Sequence, residues 1–381
     1  MSRLPLLPAV LLAFSGCSTL PLESSRIPHP SSRESQAVQS PYREAVGVVH
    51  VHSTYSDGRL PIEEIAGIAN AQQLDYLIIT DHDTLAGKFE KKEGWYGQTL
   101  VLVGNEISTS GGHYLALRID TEIPRLKDPA WTIEAVSAAG GLGFVAHPFW
   151  PRRHWKNLDA RGMTGIEIYS AKEDVTEEPL LILGFWTILA GSELSFSRWI
   201  DRPDQHLAYW DRLLNEGRKV VGIGSPDAHG LRRFGLRLGP YSTMFKMVRT
   251  HLLLNEITEE AVYDALAKGR CFVAHDLVAD AKGFQFLVAG KDKTILGVMG
   301  DELTWHPSLR LYAYLPSPGH AILLKDGRLL FERKGQQHWF EVDGPGVYRL
   351  EVTRKGKPWI YSNPIYVRPA SVDNSSDPMV K

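Results

Sequence analysis

The period of apolar and polar positions changes twice along this chain. No periodicity is present before about Pro41, short β-rich runs alternate with amphipathic stretches from Ala45 to about Asp280, and beyond Asp280 the helical period disappears. The runs Val46–Val51, Tyr76–Thr80, Leu100–Val103, Tyr114–Ile119, Leu142–Ala146, Ile166–Tyr169 and Val220–Ile223 predict seven strands. Several are almost continuously apolar, as strands buried on both faces are. Between them Ile62, Ile65, Ala66 and Ala69 share one helical face behind Pro61, which suits a first helical position, with Glu63 and Glu64 at the positive end. The same spacing predicts helices over 131–139, 205–216 and 259–268. Strand–helix alternation implies an α/β fold with a parallel sheet. Seven strands point to a distorted barrel related to the eight-stranded one, whose active sites lie at the C-terminal strand ends.

After this region, Phe284–Val288, Leu309–Tyr314, Ala321–Leu324, Gln337–Val342, Gly346–Val352 and Trp359–Val367 read as strands, and Lys325-Asp326-Gly327 is a hairpin signal. The expectation is a barrel over 43–280, an all-β module over 281–368, most simply a small sandwich, and a frayed polar tail over 369–381. At the other end, Arg3 precedes the apolar run Leu4–Phe14, which is too short to span a bilayer. Ser15-Gly16-Cys17 resembles the lipobox of bacterial lipoproteins, which implies a signal peptide over 1–16 and a lipidated Cys17 on a Ser/Pro-rich tether reaching 42. Ser18 then favours the outer membrane, facing the periplasm. The alternative is a secretory signal cleaved nearby, with Cys17 incidental.

Composition narrows the chemistry. A net charge of −2 gives no basic excess for nucleic acid. Two cysteines, Cys17 and Cys271, do not suggest a disulfide framework and exclude a thiolate zinc site, so any metal here is held by imidazole and carboxylate.

Such ligands are present as short patches: His50-Val51-His52 with Ser56-Asp57-Gly58, Asp81-His82-Asp83, Glu106, Gly112-His113, His147-Pro148 and Asp227-Ala228-His229. Nearly every patch falls where a predicted strand runs out. In a strand, residues two apart face the same way, so His50 and His52 can point at one ion. An isolated pair of this kind is weak evidence; its repetition at strand after strand, taking in six of 14 histidines, is not. Nitrogen and oxygen donors suit zinc, manganese or iron, and nine candidates exceed what one ion takes, so two or three divalent ions are expected. Glu106, standing apart from the histidines, is the best bridging carboxylate, and Asp227 the next.

In order, HVH with SDG, TDHDT, GNE, GHYLAL, AHP and PDAH resemble the PHP (polymerase and histidinol phosphatase) domain of metal-dependent phosphoesterases, over roughly Tyr42 to Asp280. The C-terminal VYRLEV and WIYSNPIYV are similar to the β-sandwich that follows this domain in bacterial relatives of the carbaryl-hydrolase type. The resemblance implies a trinuclear site. His50, His52, Glu106 and Asp227 would hold one ion, Asp57, His82 and His229 a second, and Glu106, His113 and His147 a third. Asp57 stands where some members have His, which hardens the second donor set. His113 is only seven residues beyond Glu106, a compact connection.

No serine or cysteine is placed as a nucleophile, so a metal-held hydroxide is the expected attacker, with Asp57, Asp227 and His229 nearest the chemistry and His229 or Asp57 relaying protons. An anionic substrate needs cations too: Arg152 and Arg153 follow His147-Pro148, and Arg232 and Arg233 follow His229. Trp150 and Trp155 flank the first pair. The leading expectation is a phosphoesterase acting on a small phosphorylated molecule. A carbamate, ester or amide hydrolase on the same metals is the alternative, and a non-catalytic surface lipoprotein is the third reading.

Overall fold

A computed structural model describes residues 40–176, 192–233 and 236–370. The signal-like segment, Cys17, the Ser/Pro-rich tether and the tail beyond 370 lie outside the described residues, as do the side chains of Arg232 and Arg233. Among the described residues no helix is long and apolar enough to cross a membrane.

The strands in chain order are β1 Arg43–Val49, β2 Tyr76–His82, β3 Gly94–Tyr96, β4 Thr99–Thr109, β5 Gly112–Leu117, β6 Leu142–Ala146, β7 Gly165–Ser170 and β8 Val221–Ser225. They are followed by β9 Leu231–Arg233, β10 Leu236–Gly239, β11 Arg249–Leu254 and β12 Cys271–Ala274. The rest are β13 Gln285–Ala289, β14 Ile295–Val298, β15 Glu302–Thr304, β16 Arg310–Lys325, β17 Arg328–Glu341, β18 Gly346–Arg354, β19 Lys357–Ser362 and β20 Ile365–Arg368. All except the β9–β10 pair join one 18-stranded sheet, giving a mixed α/β protein.

All seven strands expected in the first region form, but they are not all parallel. β1, β2 and β4 are parallel, as are β6, β7 and β8, whereas β5 runs antiparallel to both β4 and β6. The cause is local: β4 runs on to Thr109 and turns through Ser110-Gly111 straight into β5. An isolated parallel bridge from Val51 to Ala228 ties the segment after β1 to the segment after β8.

Continuous apolarity reflects burial on both faces. Along β2, Leu77 and Ile79 pack into a cluster with Ile62, Ile65, Ala66 and Ala69 of helix Ile62–Ala71. Tyr76 and Ile78 pack oppositely with Val49, Leu102, Leu115, Phe144 and Ile223. Each such aliphatic side chain stabilises the fold by about 1.5–3 kcal/mol. The expected helices form as Ile62–Ala71, Pro129–Ala138, Asp204–Asn215 and Glu259–Lys268. Pro61 is extended (ψ 159°) and precedes the first helix rather than opening it. The last helix starts at Thr258, whose hydroxyl accepts from the Ala261 N–H, and stops at Gly269, where φ is +70°.

The C-terminal region is all-β over a core of its own that includes Phe286, Leu311, Leu323, Leu350 and Trp359. Asp326 and Gly327 at φ 51° and 71° make the predicted tight turn between β16 and β17. Two of the expected strands, Leu309–Tyr314 and Ala321–Leu324, fall, Leu309 excepted, within the single strand β16. This region does not stand apart from the first. β12 pairs with β19, and buried Arg349 on β18 forks onto both oxygens of Asp211 at 2.7 and 2.6 Å.

Candidate metal centre

The nine residues singled out in the sequence converge at the ends of β1, β2, β4, β6 and β8 and the start of β5. Strand reversal explains the exception: β5 begins where β4 ends, so His113 lies at the same end of the sheet as the rest.

His50 and His52 do meet at one point, but not through a strand's pleat. β1 ends at Val49, and His50 has φ +73°. The left-handed kink swings its ring inward, and the His52 N–H is then held by the Ala228 carbonyl at 3.0 Å. Nε2 of each ring lies 3.2 Å from Glu106 Oε2, and 3.4 and 3.1 Å respectively from Asp227 Oδ1. His147 (φ 26°) and Asp227 (φ 44°) are kinked in the same way. Such backbone costs about 1–3 kcal/mol per residue and persists where the surroundings over-determine it.

Glu106 lies at the centre. Its Oε2 faces His50, His52 and, at 3.0 Å, His82 Nδ1. Its Oε1 faces His113 Nδ1 at 2.8 Å and His147 Nε2 at 3.0 Å. One carboxylate thus presents an oxygen to each of two histidine groups, the geometry a bridging ligand needs. Farther out, Asp57 Oδ1 lies 3.1, 3.6 and 3.8 Å from His229 Nε2, His52 Nδ1 and His82 Nε2.

These contacts are short, yet several are not hydrogen bonds. His50 Nε2, His52 Nε2, His82 Nδ1 and Glu106 Oε2 are buried with no hydrogen-bond partner. Close donors that ignore one another share a common focus, and buried polar atoms without partners are otherwise costly. Tautomers agree. The His229 Nδ1–H donates to the Asp227 carbonyl at 2.8 Å and that of His50 to Glu167 Oε1 at 2.6 Å, so both leave an Nε2 lone pair facing inward. The donor set fits divalent cations.

Electrostatics are consistent. Burial alone would raise the Glu106 carboxyl, but His50, His113 and His82 hold it well below the ordinary carboxylate range. Burial likewise opposes ionisation of Asp227, and Lys172, His50 and His229 more than compensate. Burial opposes the charge of His50, while Glu106, Asp227 and Glu167 raise its pKa well above the usual imidazole value; the Nε2 proton this favours is the positive charge that a bound cation would displace.

Other residues hold these side chains in place. Asp81 accepts from the Ser53 N–H and both the Ser53 and Ser56 hydroxyls at 2.7, 2.6 and 2.6 Å, pinning the loop that carries Asp57. Asp83 accepts from the Ser108 N–H at 2.7 Å. Two further participants escaped sequence reasoning. Glu167 on β7 accepts from His50 and from the His147 N–H at 2.7 Å; its only signal was one acid within an apolar strand. Lys172 is the second residue of helix Ala171–Thr176, with Nζ 3.2 Å from Asp227 Oδ2 and 3.1 Å from His229 Nε2; nothing in the sequence pointed to it.

Arg152 and Arg153 are exposed on the turn after His147, and the side chains of Arg232 and Arg233 lie outside the described residues. Trp155 is core, stacked on Tyr114, whereas Trp150 lies edge-on to His147 with ring centres 5.2 Å apart. Cys271 is buried, with its thiol pKa pushed up by burial, and takes no part.

The strand ends of this α/β sheet gather the residues that carry the resemblance in sequence. No family model matches the chain. Over 138 residues it is 30% identical to the uncharacterized protein MJ1587 of Methanocaldococcus jannaschii, covering 32% of this chain and 80% of that protein. The chain belongs to the same family as that archaeal protein. Among solved structures it is similar to a two-domain protein of Bacteroides vulgatus containing a predicted PHP-like metal-dependent phosphoesterase. That match has 14% identity and a TM-score of 0.43 over 85% of this chain and 95% of the other. It is also similar to an amidohydrolase of Chromobacterium violaceum, with 15% identity and a TM-score of 0.31 over 48% of this chain and 87% of the other.

Proposed function

We propose that the chain is a metal-dependent hydrolase that cleaves a small phosphorylated substrate at a di- or trinuclear centre set on a distorted (β/α)7 barrel. The observation that carries this reading is the two-sided presentation of Glu106, with three imidazoles focused on one oxygen and two on the other. His50, His52, Glu106 and Asp227 would hold one ion; Asp57, His82 and His229 a second; Glu106, His113 and His147 a third. Zinc, manganese or iron bound there supplies Lewis-acid activation of water and neutralises charge on the reacting group. The chain's own residues do the rest. Glu167 fixes the His50 ring, Asp81 holds the Asp57 loop, and the kinked backbone at His147 and Asp227 aims both side chains inward. Asp57, whose side chain is 57% exposed beside His229, is placed to pass protons to solvent.

Turnover of aryl phosphate mono- and diesters with added manganese or zinc, abolished in His52→Ala and Asp227→Ala, is the expected result. A fully metallated protein that turns over neither substrate would refute it.

A carbamate, ester or amide hydrolase on the same centre is the second reading, favoured because among the described residues no arginine side chain pairs with any of the nine. Parallel assays on aryl carbamates and aryl phosphates separate the two. The lipobox resemblance at Cys17 supports a lipid-anchored protein of the bacterial cell envelope, and labelling with a radioactive fatty acid, lost on Cys17→Ser, tests it.

A further inference from the structure

The cluster has a closed floor and an open face. The side chains of His50, Glu106, Asp227 and His147 are at most 1% exposed, against 24% for His82 and 57% for Asp57. A substrate therefore approaches from the side of Asp57, His82 and His229, and one cation is already there. Lys172 lies on that side with its own side chain 14% exposed and Nζ 5.0 Å from the centre of the Trp150 ring. Among the described residues it is the only lysine or arginine paired with any of the nine.

Its hydrogen bonding is incomplete. An ammonium has three N–H groups. The Asp227 carboxylate, 3.2 Å away, takes one; the contact with His229 Nε2 at 3.1 Å is one that a metal-binding His229 would give up, which leaves N–H groups for an incoming anion. A cation 3.2 Å from a carboxylate that would itself ligate a cation weakens that carboxylate as a donor. A counter-ion to Asp227 alone would therefore work against the centre. An ammonium facing an incoming anion works with it, and the Trp150 ring shields one side from water and strengthens the charge interaction.

Building on the hydrolase reading above, we propose that Lys172 is a substrate-contacting residue: its ammonium donates to a non-bridging oxygen of a tetrahedral anion, a phosphoryl group, held at the open face, with Trp150 as the adjoining wall. A compact point charge fits one such oxygen and gains strength as negative charge builds there. Lys172 adds to the arginines expected from the sequence a cation on another element. It also narrows the substrate, because a neutral carbamate or ester has no ground-state oxygen anion for Lys172 to hold.

The test uses the full metal-loaded chain with Lys172→Met, which keeps the stem, and Lys172→Arg, which keeps the charge. Inorganic phosphate is titrated by calorimetry, and the metal content of the same samples is measured by elemental analysis. A charge-assisted hydrogen bond lost from the complex predicts phosphate binding about 10- to 100-fold weaker in Lys172→Met at equal metal content. Part of that affinity returns in Lys172→Arg. For aryl phosphates kcat/KM falls in parallel, while turnover of a neutral aryl ester, where present, falls less. Unchanged phosphate affinity at equal metal content overturns the proposal. So does loss of metal with unchanged affinity per loaded site, which makes Lys172 a counter-ion of the cluster. A metallated wild type that binds phosphate but cleaves no phosphate ester overturns the hydrolase reading, and the phosphate titration still decides Lys172.

Discussion

Glu167→Gln exchanges one oxygen for an amino group, and the structure says why so small a change matters. The wild-type carboxylate accepts twice, from His50 Nδ1–H at 2.6 Å and from the His147 N–H at 2.7 Å, and it is wholly buried. Glutamine has a single acceptor oxygen, so however its amide is turned, a donor meets a donor. If the amino group faces His50, the imidazole moves its proton to Nε2 and loses the lone pair aimed at Glu106 and Asp227. If it faces His147, a backbone N–H is left buried and unpaired at a residue already kinked to φ 26°. A buried donor left unsatisfied costs about 1–3 kcal/mol. Spent on ligand orientation, this predicts metal binding about 10- to 100-fold weaker, the range typical of groups that orient metal-binding histidines. The assay is competition of apo-protein against a chromophoric chelator for zinc or manganese, with circular dichroism to verify folding. Isotherms of folded Glu167→Gln that superimpose on wild type would refute the reasoning.

Three further outcomes follow from other parts of the molecule. Asp81→Ala removes the acceptor of three short bonds from Ser53 and Ser56; it should cost about 2–4 kcal/mol in urea denaturation and weaken metal binding on the Asp57 side. Arg349→Met strands Asp211 at the junction of helix Asp204–Asn215 with β18, while Glu351 keeps Arg202 at 2.9 Å; a loss of about 3–5 kcal/mol is expected, and a midpoint unmoved from wild type would show the network to be dispensable. His275 is buried with its pKa lowered from 6.5 to about 4 by burial, which outweighs its bond to the Met247 carbonyl. Its folded form resists protonation that the unfolded chain accepts, so its contribution is complete above about pH 6.5 and is lost as pH falls towards 4, by about 3 kcal/mol in all. The stability difference between wild type and His275→Gln should therefore shift by about 2 kcal/mol against wild type between pH 7 and pH 5; a difference independent of pH counts against it.

Much of the fold and site was legible because burial and function left separate marks in the sequence. Strands enclosed on both faces read as apolar runs, and a polar residue just beyond several of them reaches the cluster, as His82 does beyond Tyr76–Thr80 and His147 beyond Leu142–Ala146. Contacts that join distant stretches left no such mark. Glu167 meets partners 117 and 20 residues away, and Lys172 meets Asp227 across 55. Arg152 and Arg153 sit close behind His147, where bonds from the Trp150 N–H to the His147 carbonyl and from the Arg153 N–H to the Trp150 carbonyl curl the turn and leave both arginines exposed. In the C-terminal region, Pro316 and Pro318 cannot donate to a ladder, so β16 reads as two strands, with its register irregular between Tyr314 and Gly319.

Strand direction is the instructive case, because hydrophobic pattern carries none. Apolar residues in β5 would look the same in a strand running either way. The spacing of the ligands does carry it. Glu106 and His113 are seven residues apart, and both point at the same cluster. A parallel neighbour requires a crossover of about a dozen residues or more, whereas an antiparallel one needs only a tight turn. If both residues are ligands at one end of the sheet, seven residues cannot hold a crossover, and the strand after Glu106 has to reverse. The observed register agrees, with Ser108 opposite His113 and Thr109 opposite Gly112 across the turn. The short connection from Glu106 to His113 is therefore evidence for the reversal that brings His113 to the site.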